Sequence, residues 1–510
     1  MFVRKNRNRS GSVSVQIVSK ENGKYTLVKT VGSAIEAHEI DHLAAQAQAI
    51  IGTSAVSQQR LFSIKTTEAV KAESILRDIE NADIHTIGPE LIFGTLFDRI
   101  GFNIVPDILF RHLVITRLAY PCSKLKTVDY LRRYRGEEIS IDSIYRFLDV
   151  LNKEYKPIVE KVAYCHTKRT LKNISVVFYD MTTLYFEAED EDDLRKIGFS
   201  KDGKFQQPQI MLGLLVGRNG YPIGYDIFEG NTFEGHTLLP VLKQIGKKYD
   251  LPKPVVIADA GLLSNDNIKN LSKENYQFII GGRLKNENEK VKEEILKKSQ
   301  KMKDGQSFIM TKNDGMRLLV TYSAKRARKD EHNRIRGINK LQKRVKTGKL
   351  TKSSINNRGY NKFLKLIGKM SVEIDVEKIA ADKAWDGLKG YVTNTRLSPK
   401  TIVENYRHLW QIEKAFRISK SDLKIRPIFH RLRRRIEAHI CIAFVAYTIY
   451  KELERLLYRH RVGFSAKYGA ELTHNMYEIE CILPGEIFPT KILFKMDSKQ
   501  QKLYDACQKP

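Results

Sequence analysis

Residues 174–186, ISVVFYDMTTLYF, decide the fold that this sequence predicts. Apolar residues fill successive positions up to Asp180, which is typical of a strand buried on both faces. A second run, PVVIADAG at 254–261, also ends at a carboxylate, Asp259. A carboxylate beside a hydrophobic core is costly, so two acids placed at the ends of buried strands indicate a functional site.

The segments around these two strands predict one α/β unit. QIMLGLLV at 209–216 and YPIGYDIFEGN at 221–231 continue as strands, so three consecutive antiparallel strands are expected. The stretch 236–282 then alternates helical and strand patterns. An antiparallel meander followed by a crossover helix and parallel strands is the order of a ribonuclease H-like mixed sheet, which sets Asp180 and Asp259 on neighbouring strands.

A third acid lies in the segment YRHLWQIEKAFRISK at 406–420, where Tyr406, Glu413 and Lys420 are spaced by seven residues. Seven residues make nearly two turns of an α-helix, so one helical face is expected to carry all three. Glu413 is then expected to face the two aspartates. Three carboxylates repel one another unless cations neutralise them, which predicts a divalent-metal site for phosphoryl transfer. The ring of Tyr406 and the ammonium of Lys420 are expected to grip base and phosphate.

The chain between Asp259 and Glu413 is longer than a compact α/β unit needs. A β-rich basic insertion is therefore predicted over residues 285–385. Its basic run is expected to clamp a DNA backbone, with a solvated helix face as the alternative. The residues singled out for this contact are Lys325, Arg326, Arg328, Lys340, Lys343 and Arg344.

Composition points to a nucleic-acid partner. The 510 residues include 88 Lys and Arg against 59 Asp and Glu, a formal net charge of +29. An excess of that size indicates a polyanion. The apolar stretch around 440–450 is too short to span a bilayer and predicts a buried helix. The N-terminus lacks the apolar region of a secretory signal, so a cytoplasmic location is expected. The five cysteines show no spacing typical of disulfides or zinc.

The N-terminal part carries two local patterns. VSVQIVSKENGKYTLVKTV at 13–31 predicts a hairpin around Asn22 and Gly23. PCSKLKTVDYLRRYRG and ISIDSIYRFLDVLNK, at 121–136 and 139–153, predict two short helices with a turn at Gly136. A DNA-binding helix-turn-helix and an ordinary helical bundle both fit.

These patterns divide the chain into six regions. They are an N-terminal hairpin-containing unit, a mainly helical DNA-binding region, the first part of the catalytic core, the insertion, the second part of the core, and a C-terminal region suited to dimerisation. The predicted boundaries are 1–80, 81–165, 170–284, 285–385, 386–450 and 451–510.

At these residues the chain resembles the DDE transposases of bacterial insertion sequences, in the cut-and-paste group marked by a Tyr-x2-Arg-x3-Glu-x6-Lys signature. The segments that carry the resemblance are FYDMTTLYFE, FEGNTFEGHT, VVIADAGLLS, YVTNT and residues 406–420. The likeness implies that Asp180, Asp259 and Glu413 hold two Mg²⁺ ions, for which Mn²⁺ can substitute. It also implies that Tyr406 and Lys420 contact DNA.

One position departs from that signature. Leu409 stands where the family has its arginine, and Arg407 or Arg417 could take over the lost phosphate contact. Three other acids, Asp226, Glu229 and Glu234, stay open as further members of the site.

The resemblance implies a transposase that binds terminal inverted repeats, cleaves phosphodiester bonds and joins the 3′-OH ends to target double-stranded DNA. Joining needs two ends held together, so a homodimer in a synaptic complex is expected. Two alternatives remain: a ribonuclease H-like structure-specific nuclease without strand transfer, and a non-catalytic DNA-binding repressor.

Overall fold

The computed structural model describes residues 1–8, 10–21, 23–61, 83–262, 264–312, 315–347, 355–356, 359–367, 371–482 and 487–509. The chain forms two compact units. One comprises Met1–Asp83 and Glu480–Lys491, and the other comprises Ile84–Ile479 and Ile492–Pro510.

The strands, in chain order, are β1 (Phe2–Arg7), β2 (Val13–Glu21), β3 (Lys24–Ala34), β4 (Asp83–Thr86), β5 (Val176–Tyr185), β6 (Gln209–Val216), β7 (Pro222–Glu229), β8 (Val255–Ala258), β9 (Phe278–Gly282), β10 (Ser307–Thr311), β11 (Arg317–Tyr322), β12 (Leu364–Ile367), β13 (Ser371–Ile374), β14 (Leu388–Thr393), β15 (Tyr477–Cys481) and β16 (Thr490–Leu493).

The α-helices, in chain order, are α1 (Ala37–Leu61), α2 (Thr95–Ile100), α3 (Ile108–Ala119), α4 (Lys124–Arg135), α5 (Ile141–Val150), α6 (Lys156–Leu171), α7 (Leu238–Tyr249), α8 (Asn265–Lys273), α9 (Glu289–Ser299), α10 (Ala324–Lys346), α11 (Val376–Lys383), α12 (Pro399–Arg407), α13 (Trp410–Arg417), α14 (Arg433–Arg459), α15 (Ala466–Leu472) and α16 (Ser498–Gln508).

The N-terminal sheet has the order β1-β2-β3. The predicted hairpin is confirmed, because β2 and β3 pair antiparallel out to Glu21 and Lys24. Gly23 has a φ of +80°, a left-handed conformation that glycine adopts without strain. Asn22, the other turn residue named from the sequence, lies outside the described residues. Helix α1 contacts this sheet, which the sequence patterns did not predict.

The central sheet of the larger unit has the order β10-β11-β14-β9-β8-β5-β6-β7. The predicted meander is confirmed, since β5 pairs antiparallel with β6 and β6 with β7. The predicted crossovers are confirmed as well, since β8 lies parallel to β5 and β9 parallel to β8. The other strands, β14, β11 and β10, extend the sheet antiparallel beyond β9.

The insertion differs from its prediction as a β-rich segment. Two hairpins are present, β10 with β11 and β12 with β13. Its longest element, however, is the 23-residue helix α10, which contains the whole basic run. On a helix, long Lys and Arg side chains can extend so that their charged groups remain in solvent. The buried side of α10 is formed by Arg334, Gly337 and Leu341, which are spaced as residues on one helical face.

Helices cover both faces of the central sheet and make two hydrophobic clusters. One cluster joins α3, α5, α13 and α14 to one face of β5, and the other joins α7 and α8 to the opposite face. Helix α14 is buried along most of its length, which confirms the buried helix predicted around residues 440–450. Across the described ranges, no helix has both the length and the apolar character needed to cross a bilayer.

Two helices, α4 and α5, occupy the positions predicted for them. Gly136 ends α4 with a φ of +67°, and the Ser140 side chain caps α5 by accepting a hydrogen bond from the backbone N–H of Ser143 at 3.1 Å. The Tyr145 ring of α5 lies under the guanidinium of Arg435, at 4.9 Å from the ring centroid.

Candidate active site

Asp180 and Asp259 directly follow a pair of residues that are partners on neighbouring parallel strands. Tyr179 of β5 is in register with Ala258 of β8. Asp259 directly follows the last residue of β8, whereas β5 continues beyond Asp180 to Tyr185. Asp180 therefore lies within β5, at the point where its parallel pairing with β8 ends, and not at the carboxyl end of the strand as the sequence predicts. The structure brings together the two acids that the sequence placed on adjacent strands.

The Asp180 carboxylate lies in a partly desolvated, acidic environment. Its Oδ1 accepts a hydrogen bond from the backbone N–H of Met181 at 2.7 Å. The pKa of Asp180 is raised to about 6, chiefly by burial; the charges of Glu234 and Asp259 add to the rise, while Lys201 opposes it. Excess negative charge at this position favours the arrival of cations.

Lys201 supplies the positive charge nearest to that carboxylate. Its Nζ lies 3.8 Å from Oδ1 of Asp180 and 2.6 Å from Oε1 of Glu234. The same ammonium donates a hydrogen bond to the carbonyl of Met181 at 2.6 Å. An internal cation thus lies between two carboxylates of the edge. Lys201 was not singled out from the sequence, because a loop lysine carries no periodic pattern.

Glu234 belongs to this acidic group, whereas the sequence left it open beside Asp226 and Glu229. It begins the 3₁₀ turn Glu234–His236. Its Oε2 approaches Gly261, two residues after Asp259, so closely that a Cβ on Gly261 would lie 3.6 Å away. Asp226 instead lines a different cavity, with Lys156 and Glu160.

Asp259 is exposed and is held by Tyr406. The Tyr406 hydroxyl donates a hydrogen bond to Oδ1 of Asp259 at 3.1 Å. The Tyr406 ring is buried, packs edge-on against Tyr391 at 4.9 Å, and lies under the ammonium of Lys389 at 4.4 Å. The expected stacking of this ring on a base is therefore not available in this conformation, because the ring faces are already covered.

Residues 406–420 do not form the single helix that their spacing predicts. Tyr406 lies in the last turn of α12, Glu413 lies in α13, and Lys420 lies in the π-helical turn Ile418–Asp422. Between the first two, backbone bonds run from Leu409 N–H to the Tyr406 carbonyl and from Ile412 N–H to the Leu409 carbonyl. These i to i+3 bonds tighten the backbone, and the π turn then widens it. The spacing of seven residues between Tyr406, Glu413 and Lys420 therefore does not place them on one face of a single helix.

Glu413 is exposed on α13, and α13 contacts β5. Burial lowers the pKa of Lys389, and the charges of Asp259 and Glu413 both oppose that shift. Both carboxylates are thus close enough to act on one ammonium. Even so, the described part of the chain contains no group of three or more His, Cys, Asp or Glu side chains arranged to hold a metal ion.

The donors that are present suit hard divalent cations. Asp180, Asp259, Glu234 and Glu413 offer carboxylate oxygens, the ligands that Mg²⁺ prefers. The ammonium of Lys201 between Asp180 and Glu234 marks a position that already accommodates a cation. On these two observations the residues fit a divalent metal ion by their chemistry.

Lys420 and Arg426 converge on one carboxylate. Lys420 Nζ lies 3.1 Å and Arg426 Nη1 lies 2.8 Å from Oδ2 of Asp202. The ammonium of Lys420 is therefore already paired with a carboxylate, whereas the sequence predicts that it is free to contact a phosphate. Arg407 and Arg417 are both exposed, and each is available to solvent.

The basic face of α10 is open to solvent at all six positions that the sequence singled out: Lys325, Arg326, Arg328, Lys340, Lys343 and Arg344. Arg326 also lines a cavity of about 490 Å³ together with Asp259 and Tyr406. Arg283, Lys285 and Lys389 contribute further positive charge to that cavity, and the sequence did not indicate them. The cavity beside Asp259 is therefore rich in positive charge.

A family model described as "Transposase DDE domain" matches residues 172–449. No curated protein matches the chain. A solved piggyBac transposase synaptic complex with hairpin DNA is similar at 11% identity and a TM-score of 0.38, over 76% of this chain and 78% of that one. A Mos1 transposase paired-end complex with the left transposon end is similar at 10% identity and a TM-score of 0.16, over 33% of this chain and 56% of that one. The family model covers more than half of the sequence, and the chain therefore belongs to the transposases with a DDE domain.

Proposed function

We propose that this transposase binds the terminal inverted repeats of an insertion sequence, cleaves phosphodiester bonds with two divalent metal ions, and joins the 3′-OH ends to target DNA. The observation that carries the proposal is the placement of Asp180 and Asp259 directly after the paired residues of β5 and β8. Two carboxylates on neighbouring strands, beside an open basic cavity, suit phosphoryl transfer on a polyanion.

The catalytic core is proposed to be ribonuclease H-like. The strand order β7-β6-β5-β8-β9, with three antiparallel strands followed by two parallel ones, supports that assignment. Helix α13 then carries Glu413 towards β5 after the long insertion. The insertion lengthens the sheet and contributes α10 as a basic arm.

Asp180, Asp259 and Glu413 are the proposed metal-holding residues, and Glu234 neighbours them. Divalent ions bound there would activate a water and stabilise the charge of the leaving 3′ oxygen. Tyr406 orients Asp259 through its hydroxyl, and Lys201 balances the charge of Asp180 until cations arrive. The raised pKa of Asp180, which burial causes, is expected to fall when those cations bind.

DNA is proposed to follow the basic residues of the cavity beside Asp259 and the exposed face of α10. Phosphate contacts by Lys and Arg supply affinity that does not depend on sequence. Joining two ends calls for two active sites, so a homodimer in a synaptic complex is part of the proposal.

The test uses a supercoiled plasmid that carries the element's inverted repeats, incubated with the full chain and Mg²⁺. Joined products are expected from the wild type. Asp180→Ala, Asp259→Ala and Glu413→Ala should each abolish cleavage while DNA binding persists. Asp505→Asn, a change to an exposed acid of the C-terminal helix, is the matched control and should leave joining unchanged.

Other outcomes separate the rival functions. Nicks without joined products would indicate a nuclease, and a mobility shift without any break would indicate a repressor. Cleavage at the wild-type rate by Asp180→Ala would refute the assignment of the site.

A further inference from the structure

A second basic cavity lies away from Asp259, between the first turn of α4, the Tyr145 side chain of α5 and the segment 424–439. Its volume is about 480 Å³. No acidic residue is among the residues that line it. Its cationic and imidazole side chains include Arg117, Lys124, Lys424, Arg426, His430 and His439.

Lys124 is the most unusual member of this group. The residue is only 5% exposed, although it carries an ammonium group. Within the described ranges that ammonium has neither a carboxylate partner nor a hydrogen-bond acceptor. Burial lowers the pKa of Lys124 well below its usual range, and the charge of Arg117 adds to the effect. An uncompensated buried cation of this kind costs folding free energy.

The neighbouring cations are also incompletely neutralised. Arg117 is 5% exposed and donates to the carbonyls of Leu423 and Lys424, at 3.3 Å and 3.2 Å, but to no carboxylate in the described chain. Burial lowers the pKa of Arg117 to about 10. Arg426 gives its Nη1 to Asp202, while its buried Nε has no hydrogen-bond partner among the described residues.

The first turn of α4 adds backbone donors to the same cavity. Ser123 caps this 12-residue helix by accepting from the N–H of Lys126, and Ser123, Lys124 and Leu125 all line the cavity. The N–H groups of a helix's first turn lack intrahelical acceptors and favour anions. Two independent features, a buried unpartnered ammonium and a helix N-terminus, thus call for the same kind of ligand.

We propose that this cavity binds a phosphate group, and that the phosphate belongs to the backbone of the DNA on which the transposase acts. The assignment to DNA rests on the proposed function. Phosphate is a multivalent acceptor, so it can pair with Lys124, Arg117 and the free Nε of Arg426 together. The exposed side chains at the mouth favour a polymer over a small ion, because Lys424 can meet a second phosphate and Phe429, 63% exposed, can lie against a sugar or base.

The first experiment measures binding of the full chain to a labelled DNA duplex, by fluorescence anisotropy without divalent metal and over a range of salt concentrations. Lys124→Met keeps the length of the side chain and removes the charge. Binding is expected to weaken about tenfold, and the salt dependence to decrease by the contribution of about one phosphate. Lys247→Met, which removes the charge of an exposed lysine on α7, is the matched control and should change neither quantity.

The second experiment follows thermal unfolding with and without inorganic phosphate at constant ionic strength. Phosphate should raise the unfolding temperature of the wild type. Lys124→Met should start at a higher unfolding temperature than the wild type and gain nothing from phosphate, because the buried charge is gone. A misfolded variant would show neither behaviour, and Lys424→Asn then provides a second test at an exposed position whose φ of +44° suits asparagine. Lys424→Asn should weaken DNA binding as well.

Unchanged DNA affinity and an unchanged salt dependence in both variants would overturn the proposal. Stabilisation by inorganic phosphate with no effect of Lys124→Met on DNA binding would overturn the DNA assignment and indicate a small phosphate ligand. Cleavage is measured separately, with Asp180→Ala. A failure of the catalytic assignment there leaves this binding result standing, so the two proposals fail by different observations.

Discussion

The hydroxyl of Tyr406 donates a hydrogen bond to Oδ1 of Asp259 at 3.1 Å, although the two residues are 147 positions apart in the chain. The contact depends on Gly281. A Cβ at that position would lie 2.5 Å from the Tyr406 hydroxyl and 3.2 Å from the N–H nitrogen of Ala260. Because Gly281 of β9 has no side chain, the Tyr406 hydroxyl can reach Asp259. The hydrogen bond between them fixes the orientation of the exposed Asp259 carboxylate.

Tyr406→Phe should slow DNA cleavage about tenfold and leave DNA affinity nearly unchanged. The physical reason is the loss of one hydrogen bond to a charged acceptor, about 1.5–3 kcal/mol, while the buried ring keeps its packing. Single-turnover cleavage and duplex binding measure the two quantities. Tyr391→Phe, a neighbouring tyrosine that does not contact Asp259, is the control. Equal cleavage rates for Tyr406→Phe and wild type would show that the bond does not orient the site.

Lys201→Met should tighten the binding of Mn²⁺ about tenfold. The ammonium lies between Asp180 and Glu234 and competes with added cations, and a unit charge at this distance contributes about 1–4 kcal/mol. Calorimetric titration of the DNA-free protein with Mn²⁺ measures the affinity. Lys204→Met, in the same loop with its ammonium 5.4 Å from the Tyr185 ring, is the matched control. Weaker or equal Mn²⁺ binding by Lys201→Met would contradict competition.

Asp180→Asn should raise the stability of the metal-free protein at neutral pH by about 1–2 kcal/mol. Burial raises the pKa of Asp180 to about 6, so between about pH 4 and pH 6 the folded state binds a proton that the unfolded state has lost. Stability therefore falls as pH rises through that window, and the full cost is present above pH 6. The amide removes this cost.

Thermal unfolding in a metal chelator, at several pH values, tests this difference. The stabilisation should disappear below about pH 4, where the carboxyl group is protonated in both states. Asp505→Asn should behave as wild type throughout. A stabilisation by Asp180→Asn that is independent of pH would exclude titration of Asp180 as its origin.

Asp202→Asn should lower stability by about 1–3 kcal/mol and strengthen duplex DNA binding severalfold at low salt. Lys420 and Arg426 both pair with this carboxylate, and their charges become available to phosphates when it is neutralised. Unfolding and anisotropy measurements give the two values. Asp192→Asn, which neutralises a carboxylate paired with Arg195, is the control. Unchanged DNA affinity would mean that the two cations do not reach DNA.

Local pattern in the sequence determined the central architecture. The apolar runs before Asp180 and Asp259, the two strand patterns that follow Asp180 and the helical spacing of α7 and α8 were enough to predict strands β5 to β9 and their order. Each of these signals depends only on residues close together in the sequence. Burial of one or both faces of a strand or helix gives its apolar residues a regular spacing, which can be recognised in the sequence. The two helices around Gly136 and the hairpin at Gly23 followed from capping and turn residues for the same reason.

Tertiary structure alone decided how the site is assembled. Its polar contacts join segments that are far apart in the chain and share no repeating pattern of apolar residues. They are the contacts of Tyr406 with Asp259, of Lys201 with Asp180 and Glu234, and of Lys420 with Asp202. The i to i+3 bonds around Leu409, which separate α12 from α13, were likewise not indicated by the regular spacing of the sequence. The sequence by itself thus determined that Asp180 and Asp259 belong to neighbouring strands, whereas the folded chain decided that β5 continues past Asp180 and which cations and hydroxyls contact the acids. The physical reason is that strand and helix patterns are local, while electrostatic partners are chosen by distance in space.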